Sequence, residues 1–191
     1  MKTETSDRSL IESKFETLIS KSQIYIKTRN ESELVSLRDD IGDLKDKVNA
    51  ALDNIKNTHN ANYLISLKLM ISIIHKFTCS VELMENMKSK KPLCEELDTK
   101  QMLDILLPHI RCLVEYENWS KNLDTKKLEE DYAFIESLED QHKRVLLSYL
   151  IQDWHNMDEV LNLLKIGEIY KNIAVKLVSL SLLSNYLEKQ N

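Results

Sequence analysis

Two pairs of histidine and cysteine stand at spacings a metal site would use: His75 and Cys79 are four residues apart, His109 and Cys112 three apart. On a helix each pair shares one face, so two facing helices would offer the four nitrogen and sulfur donors of tetrahedral zinc. Both pairs sit in strongly apolar stretches, however, where cysteine ordinarily acts as a small buried hydrophobe, and no Cys-x-x-Cys knuckle accompanies them. Packing is their expected role, and neither a metal nor any other cofactor is expected. Glu139 with His142 is the one Glu-x-x-His pair in the chain, whereas a di-iron bundle takes two such pairs and further inward carboxylates. Nucleophilic catalysis asks for a Ser or Cys held beside a base, usually on a sharp turn. Only 2 Gly and 2 Pro are available to build such turns, against roughly 13 and about 10 at average usage. Glu129, Glu130, Asp131 and Glu136 alternate with Lys126 and Lys127 in the manner of a solvated helix face. No catalytic residue is therefore expected, and the protein reads as no enzyme.

Charge narrows the partners. A formal net charge of -5 supplies no positive field for nucleic acid or anionic lipid. Lys88, Lys90 and Lys91, beside Pro92, read as a solvated loop. Trp119 and Trp154 lack a basic surround and read as packing anchors or interface residues rather than base-stacking platforms. The most apolar tract, 172–187, contains Lys176 and falls short of the ~18 uncharged residues of a spanning helix, so no membrane insertion is expected. Three cysteines cannot all pair within one chain, and residues 1–10 are polar and charged rather than a signal sequence. A reducing cytoplasm or nucleus is the expected setting.

The elements that carry these residues are helices. Few turn formers means few, long elements, and apolar residues recur at helical spacing almost throughout. A first helix is expected from about Leu10 to Arg29, with Ser9 and Glu12 as its capping box, and Asn30 with Glu33 repeats that signal. Leu34, Leu37, Ile41, Leu44, Val48, Ala51 and Ile55 then alternate in steps of three and four, a heptad seam. Tyr63, Leu67, Met70, Ile74, Phe77, Val81 and Met84 make a second seam on a third helix. That helix is also apolar at Leu64, Ile65, Leu69, Ile71 and Ile73, so it should sit centrally. Residues 89–98, containing Pro92, form the expected linker between an N-terminal part, 1–88, and a C-terminal part, 99–191. Asp98 with Gln101 would cap a fourth helix, which Pro108 should kink or split. A fifth carries Leu128, Ile135, Leu138, His142, Val145 and Tyr149. Asn156 with Glu159 would cap a sixth, in which Gly167, Ala174 and Ser181, seven apart, form a narrow packing groove. The expected fold class is all-α: long amphipathic helices in an elongated antiparallel bundle or coiled coil.

The string Lys47-Val48-Asn49-Ala50-Ala51-Leu52-Asp53-Asn54-Ile55 resembles the dynactin subunit 3 family, the smallest subunit of the dynactin shoulder, at Lys47, Val48, Ala51, Leu52, Asn54 and Ile55. The apolar pattern from Tyr63 to Phe77, the polar break Asn122-Leu123-Asp124-Thr125, and Glu168, Tyr170 and Asn172 ahead of a Leu- and Ser-rich helix are similar too. The chain departs from that family in carrying Tyr186 near the place of a late tryptophan. The resemblance implies a non-catalytic structural subunit of the arm that supports dynein-driven microtubule transport. Its partners would be dynamitin-like and Glued-like coiled coils, and its location cytoplasmic and cytoskeleton-associated. The expected partner interface is the two seams: Leu37, Ile41, Leu44, Val48, Ala51 and Ile55, then Tyr63, Leu67, Met70, Ile74 and Phe77. The alternative is a self-contained helical adaptor, of kinetochore or vesicle-traffic type, that binds a single partner and uses the seams for its own core.

Overall fold

The computed structural model describes residues 2–54, 61–87, 99–114, 124–152 and 154–188. Among these are six α-helices and no strand: α1 (Lys2–Thr28), α2 (Glu31–Asn54), α3 (Ala61–Glu85), α4 (Thr99–Val114), α5 (Thr125–Gln152) and α6 (Met157–Glu188). A 3-10 turn, Trp154–Asn156, joins the last two. The all-α class is as expected. The linker at 89–98 and the seam residue Ile55 lie outside the described residues, as does the Asp98 cap.

Helix ends follow local chemistry. α1 begins at Lys2, so Ser9 and Glu12 lie within it; the first ten residues contain neither Gly nor Pro, and nothing there stops a helix. α4 runs unbroken through Pro108. Proline removes one backbone hydrogen bond, but Leu106, His109, Ile110 and Leu113 on either side are buried, and that packing holds the helix across it. The Glu159 carboxylate turns to Arg29, 130 residues away in the chain. Two helix starts carry a side-chain cap. Asn30 Oδ1 accepts from the Ser32 N–H at 3.1 Å to start α2, and Asp124 Oδ1 accepts from the Lys127 N–H at 3.0 Å to start α5.

The α1–α2 corner is two residues long. Arg29 has a φ of 56°, a left-handed conformation that costs a residue with a Cβ about 1–2 kcal/mol. Its guanidinium offsets this. One nitrogen donates to the Ile26 carbonyl at 2.5 Å, another meets Glu159 Oε1 at 2.6 Å, and the group lies 6.0 Å from the centre of the Tyr25 ring.

The helices stack in layers. α2 packs mainly against α1 and α3; α1 then meets α4, α3 meets α6, and α5 covers α4 and α6 on the far side. α3 is central because it is apolar nearly all round: Leu67, Met70, Ile73, Ile74, Phe77, Val81 and Met84 are all buried. Its stretch Leu64–Glu85 is long and apolar enough to cross a membrane; here those residues pack against neighbouring helices. At the centre Tyr170 of α6 is fully buried, its ring 6.2 Å from Phe77. Burial pushes its hydroxyl far above the ordinary tyrosine value, against the pull of the Ser80 and Ser22 hydroxyls, so it stays neutral. Gly167, Ala174 and Ser181 are buried as the expected groove, and Glu139 of α5 approaches to 3.8 Å from where a Gly167 Cβ would be. One continuous core draws on helices from both sides of 89–98.

Gly42 has no such neighbour. It lies inside α2, exposed, with nothing within 4 Å of a Cβ and no left-handed φ. Gly42→Ala should therefore stabilise the chain by roughly 0.5–1 kcal/mol through the lost freedom of the unfolded state. In a thermal melt this is a rise of about 1–4 °C.

Candidate protein-interaction surface

The chemistry-bearing residues are structural ties. His75 is exposed, with Nε2 3.8 Å from Cys79 Sγ on the same helix. His109 is buried, and its Nε2 meets Asp131 Oδ2 of α5 at 2.8 Å, while Lys127 reaches the other oxygen of that carboxylate at 3.4 Å. His109 thus joins α4 to α5. Among the described residues no group of three or more His, Cys, Asp or Glu could hold a metal ion.

Glu139 is the most embedded carboxylate. It is buried at the α5–α6 seam, where Lys143 Nζ lies 2.7 Å from Oε1 and Lys171 Nζ 3.1 Å from Oε2. Burial alone would raise its pKa, but the two ammonium groups hold it below the usual 4.5. A carboxyl whose folded pKa lies below its unfolded one stabilises the fold above about pH 4.5, and loses that contribution as pH falls through the lower, folded value. Glu139→Gln should therefore remove part of the acid sensitivity. Melts taken below pH 4.5 should fall less steeply with pH in the variant than in the parent chain.

The seams assigned to partners close within the chain. Leu37, Ile41, Leu44 and Val48 of α2, and Leu67, Met70, Ile74 and Phe77 of α3, are buried, and Ala51 is half-buried. They are covered by α1, α6 and one another, so the expectation that they face partner chains is corrected. A heptad seam demands an apolar cover, and the chain's own helices provide it. The side chains of Ile55 and Tyr63 lie outside the described residues.

Leu10 and Ile24 of α1 and Val35 of α2 are exposed, but most of the exposed large apolar side chains lie on the α5–α6 hairpin. Ile151 is 87% exposed and Trp154 71%, and Leu147, Met157, Leu161, Val175 and Leu182 are exposed as well. The ties from Glu139 to Lys171 and to Gly167 set the register of the two antiparallel helices. Ile151 is then level with Met157, and Leu147 with Leu161. These residues recur at steps of three and four on the flank of each helix turned away from α3 and α4. The Trp154 ring, 4.2 Å from that of His155, closes the upper end. Five large apolar side chains left in solvent together at that end are the kind of patch that marks an interaction site. No protein-family model, no curated protein and no solved structure matches the chain. Of the residues on this surface only Trp154 stood out in the sequence, as an anchor or interface residue. Leu147, Ile151 and Leu161 were legible as leucines and isoleucines off the heptad seam, a surplus that one buried face cannot absorb.

Proposed function

We propose that this chain is a non-catalytic helical subunit that binds other protein chains through the exposed α5–α6 face. The observation that carries the reading is the contiguous set Leu147, Ile151, Trp154, Met157 and Leu161, left in solvent by a chain whose heptad seams are closed. Such a surface is stabilised by apolar cover at roughly 25 cal/mol per Å². The similarity at residues 47–55 supports the more specific form of this reading, a subunit of a dynactin-like shoulder joined to dynamitin-like and Glued-like coiled coils in the cytoplasm. In that setting the bundle would be elongated, since an arm must span distance.

The burial of the seams favours a second form, the self-contained adaptor with a private core. Scattering separates the two: a radius of gyration well above roughly 16 Å, the value for a compact chain of this length, fits the arm, and a value near it fits the adaptor. Affinity purification with mass spectrometry tests the common core of both. Ile151→Asp with Leu161→Asp should release the partner chains while the thermal melt is kept, because both sites are exposed. Unaltered co-purification would count against this face, and the absence of dynamitin-like and Glued-like chains from the parent's eluate would count against the shoulder.

A further inference from the structure

The middle of α3 sets a thiol and an imidazole side by side on an open surface. His75 and Cys79 are four residues apart on that helix and share one of its faces. Their apolar neighbours in the sequence point to packing, yet the structure leaves His75 exposed and Cys79 only half-buried. The opposite side of the same two turns is locked in the core at Ile74, Phe77, Ser80 and Val81, so packing fixes the backbone that spaces the two donors. His75 Nε2 lies 3.8 Å from Sγ of Cys79, a free thiol. Among the described residues neither side chain has another hydrogen bond or ion pair. The charges around them do not repel a cation from the pair. Glu82, one turn past Cys79 on the same side, is exposed and acidic. Lys68 stands about 10 Å back along the axis, and Lys76 lies about 100° round it from His75. The Arg38 guanidinium of α2 is taken by Glu85.

We propose that His75 Nε2 and Cys79 Sγ form a two-donor site for a thiophilic divalent cation, zinc above all. Zinc bonds are about 2.3 Å to sulfur and about 2.0 Å to nitrogen. A donor separation of 3.8 Å therefore sets an angle of roughly 120° at the metal, and a small side-chain rotation makes it tetrahedral. On binding, the Cys79 thiol releases its proton to solvent and His75 coordinates as the neutral ring. Thiolate with imidazole suits zinc, whereas magnesium and calcium take oxygen donors. No third protein donor joins the pair among the described residues. Two positions on the metal are thus left for water or for a donor from another molecule, and the ion is exchangeable rather than a resident centre. His109 takes no part, because it is tied to Asp131. Bound there, zinc would staple one turn of α3 from its solvent side.

Calorimetric titration of the full chain with zinc chloride, after reduction and removal of metal by a chelator, tests the site. One zinc should bind per chain. His75→Ala and Cys79→Ser should each weaken binding at least roughly 10-fold, the loss that even an outer-shell partner's removal brings, while Cys94→Ser and Cys112→Ser should keep it. Magnesium chloride should give no heat of binding. Cobalt(II) in place of zinc should give the parent a sulfur-to-metal charge-transfer band that Cys79→Ser lacks. Because His75 is exposed, the His75→Ala chain should keep the parent's circular dichroism and melt, so its loss of binding reports the donor and not the fold. Zinc should raise the melt of the parent and leave that of the two donor variants unchanged. A parent that takes up no zinc, uptake unaltered by His75→Ala or Cys79→Ser, or binding lost instead in a folded Cys94→Ser or Cys112→Ser chain would each overturn the site.

Discussion

A chain carrying Ile41→Asp and Val48→Asp is expected to have no cooperative thermal melt at all. Both side chains are buried between α2 and its neighbours, Val48 completely. An ionised carboxylate in such a place costs several kcal/mol even after relaxation. Two of them together exceed or match the 5–15 kcal/mol by which a domain of this size is stable. Circular dichroism should show lost or strongly reduced helicity at 25 °C. A seam that faced a partner chain would behave otherwise, keeping the melt and losing only the partner, so a double variant that still melts near the parent would reinstate the seam as an interface. The milder Leu44→Ala gives a graded readout, because it removes a fully buried side chain without adding charge. It should cost about 2–5 kcal/mol, or roughly 5–20 °C in the melt.

The second large effect concerns the pair at the α1–α2 corner. Arg29 and Glu159 are 3% and 5% exposed and 2.6 Å apart, while Arg29 Nε and Glu159 Oε2 have no hydrogen-bond partner in the protein. Glu159→Ala leaves a buried guanidinium without its counter-charge and should destabilise the chain by about 3–5 kcal/mol in urea unfolding. The backbone at Arg29 keeps its left-handed turn in that variant, so the loss reports the charge and not the turn. Replacing both partners, Arg29→Met with Glu159→Leu, should recover much of it, because an ion pair with unsatisfied atoms yields little net stability over apolar side chains. Added salt should change the Glu159→Ala penalty only slightly, since a buried charge is poorly screened. A single variant within 1 kcal/mol of the parent would show that the corner relaxes to admit water.

How far residues announce their structure depends on the range of the interaction. The seams of α2 and α3 were legible because heptad spacing is a local property, and so were the Asn30 and Asp124 ends, where a side chain serves backbone two or three residues on. The ion pair of Glu159 was not legible for the same reason: Arg29 is 130 residues distant, and no local pattern carries that information. Spacing likewise showed that Leu37, Leu44 and Val48 need cover without showing whose. α1 starts ahead of the capping-box pattern at Ser9 because no helix breaker precedes it. The α5–α6 face escaped because apolar residues on two different helices become one surface only when the hairpin register is known.

The position of α3 has a consequence during synthesis. One of its faces is covered by α2, made just before it, but the face that carries Phe77 lies against Tyr170 of α6. At about 5–20 residues per second, the chain between them takes roughly 5–20 s to emerge. For that interval the nascent protein presents its most apolar helix half-clothed, and the ribosome-bound chain is a natural client for a chaperone that shields α3 until α6 arrives.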